Sequence, residues 1–135
     1  MPADLVIRNA LVIDGSGSPG FPADVSVSGG QISGIGAAGA GTREIDARGQ
    51  VLCPGFVDTH SHDDGAFLRY PGMAFKLAQG VTSEISGNCG FSTIPNEPGR
   101  EYMPGDISGP GSGWTDLDSY FAACMELKPA INNAM

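Results

Sequence analysis

One segment constrains the fold more than any other. Val51-Leu52-Cys53-Pro54-Gly55-Phe56-Val57-Asp58 is mostly apolar without clean alternation, and it stops abruptly at Thr59-His60-Ser61-His62-Asp63-Asp64. A nearly continuous apolar run bounded by polar residues is the pattern of a parallel strand buried on both faces. Parallel strands need a crossover between them, usually a helix. A helix-like stretch over residues 73–79, closed by Gly80 in a C-cap position, supplies it. Val81-Thr82-Ser83-Glu84-Ile85-Ser86 then reads as the next strand and ends in Gly87-Asn88-Cys89-Gly90.

Strand, helix and strand within about 35 residues make one βαβ unit. Both strands place their unusual residues at their C-terminal ends, which in a barrel of parallel strands is the catalytic face. Residues 95–113 are rich in Gly and Pro and read as a long loop over that face. Thr115 or Asp116 is positioned to cap a helix whose apolar face is Leu117, Tyr120, Phe121, Cys124 and Met125. The tail Ala130-Ile131-Asn132-Asn133-Ala134-Met135 reads as a linker toward a third strand that does not arrive.

The first 51 residues have a different texture. Leu5, Ile7, Leu11 and Ile13 share one parity, and Val25 and Val27 alternate with Ser26 and Ser28 before Gly29-Gly30 turns the chain toward Ile32 and Ile35. Two hairpins follow from this pattern, with a further strand near residues 43–46. The expected fold class is therefore α/β: a small β-strand domain over residues 1–51, then over residues 52–135 the first βα units of an incomplete (β/α)8-type barrel.

Charge and cysteine usage narrow the function classes. Fifteen acidic residues against seven basic ones give a formal charge of -8, and the basic residues are scattered, so a nucleic-acid or anionic-membrane surface is not expected. Arg8 and Asn9 break the apolar run Leu5-Val6-Ile7 well short of signal or membrane-spanning length, which makes the cytoplasm the expected compartment. Three cysteines, Cys53, Cys89 and Cys124, are odd in number and widely spaced; no disulfide framework is expected.

The two histidines carry the chemistry. On a strand, residues two apart point to the same face with Cα atoms roughly 6.6 Å apart, so His60 and His62 are able to converge on one metal ion if the strand end curls toward it. An isolated His-x-His is more often a solvated pair, but this one closes an apolar strand, follows Asp58 and precedes two carboxylates, a context that favours metal binding. Cys89, between glycines at the next strand end, is either a thiolate ligand or a small apolar filler. Cys53 and Cys124 read as filler. Asp58 either orients a ligand or has a structural role at the barrel floor; Asp63 and Asp64 are open among metal binding, loop fixing and solvation.

Pro54-Gly55-Phe56-Val57-Asp58-Thr59-His60-Ser61-His62 resembles the first-strand signature of the amidohydrolase superfamily, metal-dependent hydrolases on a (β/α)8 barrel with a small N-terminal β domain. The continuation His62-Asp63-Asp64 and Gly87-Asn88-Cys89-Gly90-Phe91 resemble its N-acyl-D-amino-acid deacylase (D-aminoacylase) branch, in which a cysteine stands in for the usual carbamylated lysine. The resemblance implies hydrolysis of a small-molecule N-acyl-D-amino acid to a carboxylate and a D-amino acid. It makes His60, His62 and Cys89 ligands to one or two Zn2+ ions. It also implies two further histidines and a general-base aspartate that would lie beyond Met135, so no catalytic residue is expected within these 135 residues and the chain alone is expected to be an inactive fragment. Two other readings accompany it: an inactive or metal-binding remnant, and a hydantoinase-like hydrolase of cyclic amides, which the cysteine disfavours because those relatives use lysine. Substrate preference and oligomeric state would be set by segments outside these residues.

Overall fold

A computed structural model describes residues 1–94 and 113–135, so the loop read over residues 95–113 lies outside them save for Gly113. The chain forms two compact units, Met1–Pro54 and Gly55–Met135. Among the described residues no helix is long and apolar enough to cross a membrane.

The first unit is built around β1 (Ala3–Val12). On one side lies antiparallel β2 (Phe21–Ser28), followed by β3 (Gln31–Gly36). The Gly29-Gly30 reversal between them has φ of 58° and 75°, the left-handed pair that a tight two-residue hairpin requires. On the other side β1 pairs in parallel first with β4 (Gly41–Asp46) and then with β5 (Val51–Leu52), the partner changing between Arg8↔Asp46 and Leu11↔Val51.

The single parity expected along β1 fails at Asn9. This residue has φ 59°, and the register with β2 shifts between Ile7 and Ala10. An extra residue in one strand is a β-bulge, and asparagine is among the few residues that enter the left-handed region readily. Asp24 accepts the Asn9 backbone N–H at 2.9 Å, and the Asn9 side-chain amide donates to Asp46 at 2.9 Å. The odd-numbered face therefore continues on even numbers: Ile7, Ala10 and Val12 join Ala23, Val25, Ala47 and Leu52 in one core. Leu11 and Ile13 are left 42% and 41% exposed.

Arg8 ties this unit together on the other face. Its guanidinium makes a two-pronged contact with Glu44 at 2.6 and 2.7 Å, reaches Asp24 at 3.2 Å and donates to the Gly39 carbonyl at 2.9 Å. Planar forks of this kind fix orientation as well as charge.

The second unit is a parallel sheet, β6 (Phe56–Asp58), β7 (Val81–Ile85) and β8 (Asn132–Ala134), in that spatial order. Helices α1 (Asp64–Arg69) and α2 (Ala74–Leu77) connect β6 to β7, and α3 (Leu117–Leu127) precedes β8. This is the strand-helix alternation expected of the opening of a barrel. The third strand does arrive, contrary to expectation. Its Asn-Asn core has poor strand propensity, but buried Ile131 anchors it and Asn133 bonds both Ser86 (2.7 Å) and the Tyr120 hydroxyl (3.2 Å). α1 is too short to show a period in the sequence; its Phe67 is fully buried.

The run from Val51 to Asp58 is two strands rather than one. Pro54 has no N–H to give to a ladder, and a side chain at Gly55 would collide with Thr82; β5 stays with the first sheet and β6 starts the second. Burial on both faces is also not found: β6 is an edge strand among the described residues, with Phe56 58% and Val57 57% exposed. Asp116 does cap α3, forming a reciprocal capping box with Ser119, and Tyr120 and Cys124 are buried with Phe121 beside them, while Leu117 and Met125 stay exposed. Phe67, Met73, Trp114, Tyr120, Cys124 and Ile131 make the core of this unit.

Hydrogen bonds from Arg8, then from the Gly41 backbone, lower the Glu44 pKa from 4.5 to about 2. A carboxylate depressed on folding contributes stability above its unfolded pKa and loses it as pH falls through the folded value. Wild type should therefore unfold at higher denaturant than Glu44→Gln at pH 6, and the difference should shrink between pH 4.5 and 2, as chemical-denaturation midpoints would show.

Candidate metal centre

β6 and β7 run in parallel with Asp58 level with Glu84. Beyond the sheet, the Ser61 N–H still donates to the Ile85 carbonyl at 3.0 Å. The chain leaving β6 therefore stays beside the end of β7, and both histidines sit in this extension rather than on the strand itself. Their rings lie 5.4 Å apart between centroids at 68°. The curl that the spacing requires is thus present.

Past Ile85 the chain enters a tight turn over Asn88–Gly90, in which Gly87, Cys89 and Gly90 all have positive φ (77°, 58° and 74°). Asn88 closes it by donating its side-chain amide to Ile85 O at 2.9 Å. The turn swings Cys89 Sγ to 3.2 Å from His60 Nε2. One donor atom from each of His60, His62 and Cys89 lies within 4.8 Å of the others, and all three residues are exposed. Zinc holds nitrogen at about 2.0–2.1 Å and sulfur at about 2.3 Å, and two imidazoles with one thiolate are a zinc-type donor set. The separation and chemistry of the three groups fit such an ion.

The aspartates stand apart from this donor cluster. Asp58 braces it: Oδ1 accepts the His60 backbone N–H at 3.2 Å and Oδ2 binds Lys76 Nζ at 2.7 Å. The Lys76 hydrogen bond, then the His60 N–H, hold the Asp58 carboxyl below the ordinary range. Asp63 lies 2.8 Å from the same ammonium. Asp64 is buried and fixes the neighbouring chain, accepting the Thr93 N–H at 2.6 Å and the Ser92 hydroxyl at 3.2 Å, while its carbonyl accepts from Tyr120 at 2.7 Å. Cys124 is buried as expected, whereas Cys53, read as filler, is exposed.

Lys76 and Glu84 escaped the sequence reading. Both are buried, and their charges meet at 3.1 Å. Burial works against the Lys76 ammonium, but hydrogen bonds to Asp58, Asp63 and Glu84 outweigh it and raise its pKa above the ordinary lysine value. Burial pushes the Glu84 carboxyl up, with Lys76 opposing. No local signal marks Lys76, since Phe75 and Leu77 on either side of it are 44% and 41% exposed.

The model of the amidohydrolase family matches residues 43–134. The chain belongs to this amidohydrolase family. It is 42% identical over 134 residues to an N-acyl-D-glutamate deacylase of Alcaligenes xylosoxydans xylosoxydans, covering 97% of this chain and 28% of that protein. A D-aminoacylase of the same organism is 41% identical over 138 residues, covering 98% and 28%. Among solved structures, an N-acyl-D-glutamate deacylase of Bordetella bronchiseptica, complexed with zinc and a phosphonate mimic of the reaction's tetrahedral intermediate, superposes with a TM-score of 0.83. The two are 34% identical, with 99% of this chain and 29% of that one covered. A D-aminoacylase described by its binuclear metal centre also gives 0.83, at 35% identity and coverage of 98% and 29%. This amidohydrolase chain thus spans under a third of the length of the curated relatives it matches.

Replacing Asp64 by Ala leaves the buried Thr93 N–H without its acceptor. Such a loss costs about 1–3 kcal/mol, so Asp64→Ala should lower the urea midpoint accordingly without changing the slope.

Proposed function

We propose that this chain contributes the first ligands of a zinc centre in an enzyme that hydrolyses N-acyl-D-amino acids to a carboxylate and a free D-amino acid. The observation that carries this reading is the convergence of His60, His62 and Cys89 beyond the C-terminal ends of two adjacent parallel strands, the face on which barrel enzymes build their sites. The deacylase relatives support the substrate class, and the zinc in the Bordetella bronchiseptica structure supports the metal.

A bound zinc would supply Lewis-acid chemistry, polarising an amide carbonyl and acidifying water. His60 and His62 offer ring nitrogens to it, and Cys89 offers sulfur as the thiolate. Asp58 holds the His60 backbone, so that the imidazole starts from a fixed point. Phe91, whose ring stands 6.1 Å from that of His62 at 86° in a T-shaped contact, gives the imidazole an aromatic neighbour. The general-base aspartate and additional histidine ligands belong, in this reading, to sequence outside residues 1–135.

In the intact protein, removal of a direct ligand should cost at least as much as the roughly 10–100-fold typical of outer-shell partners. His62→Ala is expected to lose bound zinc and at least about a hundredfold in release of D-amino acid from N-acetyl-D-amino acids; full activity in that variant would overturn the site. Chelation should abolish turnover in the wild type and added zinc should restore it.

A further inference from the structure

Lys76 is the charged residue of α2, and it is only 8% exposed. Its ammonium lies 2.7 Å from Asp58, 2.8 Å from Asp63, 3.1 Å from Glu84 and 3.3 Å from the Ser61 hydroxyl. The positions of these partners follow a pattern. Asp58 closes β6 just before His60, Ser61 separates the two histidines, and Asp63 follows His62 directly. Glu84 lies on β7, the strand that leads into the Cys89 turn. One cation thus grips both chain segments that carry the three donor groups.

We propose that Lys76 is a positioning residue: it clamps the loop bearing His60 and His62 against the strand that delivers Cys89, and so sets the separation of the three donors. This rests on the metal-centre reading above. An ammonium has three hydrogens to give, and the three carboxylates are its shortest contacts. With Lys76 in place, Asp58 is free to turn its second oxygen to the His60 backbone N–H, and Asp63 and Ser61 lock to each other at 3.2 Å. Without it, the Asp58, Asp63 and Glu84 carboxylates would face one another with no cation between them and repel, and the loop would open. A buried ion cluster is a poor source of net stability, because desolvating the charges offsets their attraction, and fixed geometry is a better-attested return. Glu84 illustrates this: its side chain is 0% exposed, and the charge that answers its carboxylate is Lys76 at 3.1 Å.

Two measurements on the intact protein test the clamp, zinc affinity by competition with a chromogenic chelator and amide hydrogen exchange of the metal-free form. Lys76→Met should weaken zinc binding about 10–100-fold, the range for partners that orient ligands, and should speed exchange at residues 59–63 while leaving β1 and β2 unchanged. Lys76→Arg, which keeps the charge with a different shape, should recover part of both. Lys76→Met/Glu84→Gln removes the buried unpaired charge and should remain folded with the same zinc deficit. Wild-type zinc affinity in both methionine variants would overturn the proposal, as would exchange that rises uniformly over β6, β7 and β8, since Lys76 would then merely hold the sheet. If the wild type itself binds no zinc, the metal-centre reading fails, and the exchange pattern alone decides the clamp: acceleration confined to residues 59–63 upholds it and any other pattern rejects it.

Discussion

The parallel register of β6 against β7 is the constraint on which the rest of the site depends. With Asp58 level with Glu84 and the Ser61 N–H on Ile85 O, the two strand ends finish at the same height, and the segments leaving them meet. A register slip that kept the side-chain faces intact would move one end by two residues, about 6.6 Å. That exceeds the 4.8 Å within which the three donor atoms now lie, so a slip would undo the present convergence. The packing of Gly55 under Thr82 guards this register, because any side chain there would push the strands apart.

What could be read from the sequence was what is local. The histidine pair, the Gly-flanked cysteine, the Gly29-Gly30 hairpin and the capping of α3 by Asp116 each depend on a few consecutive residues whose chemistry admits little else. What could not be read was set by partners distant along the chain. The bulge at Asn9 is held by Asp24 and Asp46, 15 and 37 positions away, and without them the alternation of Leu5, Ile7, Leu11 and Ile13 looks unbroken. β8 forms although its residues are poor strand formers, because Tyr120 and Ser86 receive Asn133. Lys76 looks like an exposed residue of a short helix until Asp58, Asp63 and Glu84 are placed around it.

The two units balance charge in opposite ways. Arg8 binds Glu44 where the glutamate side chain is 41% exposed, so water screens the pair and its worth lies mainly in aligning β1, β2 and β4. Lys76 binds Glu84 where the carboxylate side chain is 0% exposed, and there loss of the lysine would strand the glutamate in a poorly polarisable interior, whereas the ammonium keeps Asp58 and Asp63 if Glu84 is lost. The first arrangement tolerates change at either partner. The second is sensitive above all to its one cation, which contacts the loop that carries the histidines through Asp58, Ser61 and Asp63.

Cys89 itself supplies the last step. It is not glycine, yet it takes φ 58° between Gly87 at 77° and Gly90 at 74°. A residue with a Cβ incurs roughly 1–2 kcal/mol in the left-handed region that glycine would avoid. A buried filler could justify that strain through packing, but Cys89 is exposed and gains little from burial. Strain of this kind persists where a side chain is needed in one place, and the atom this backbone presents is a sulfur 3.2 Å from His60 Nε2. The turn therefore brings the sulfur beside the imidazoles, with positive φ at Gly87 and Gly90 as well as at Cys89.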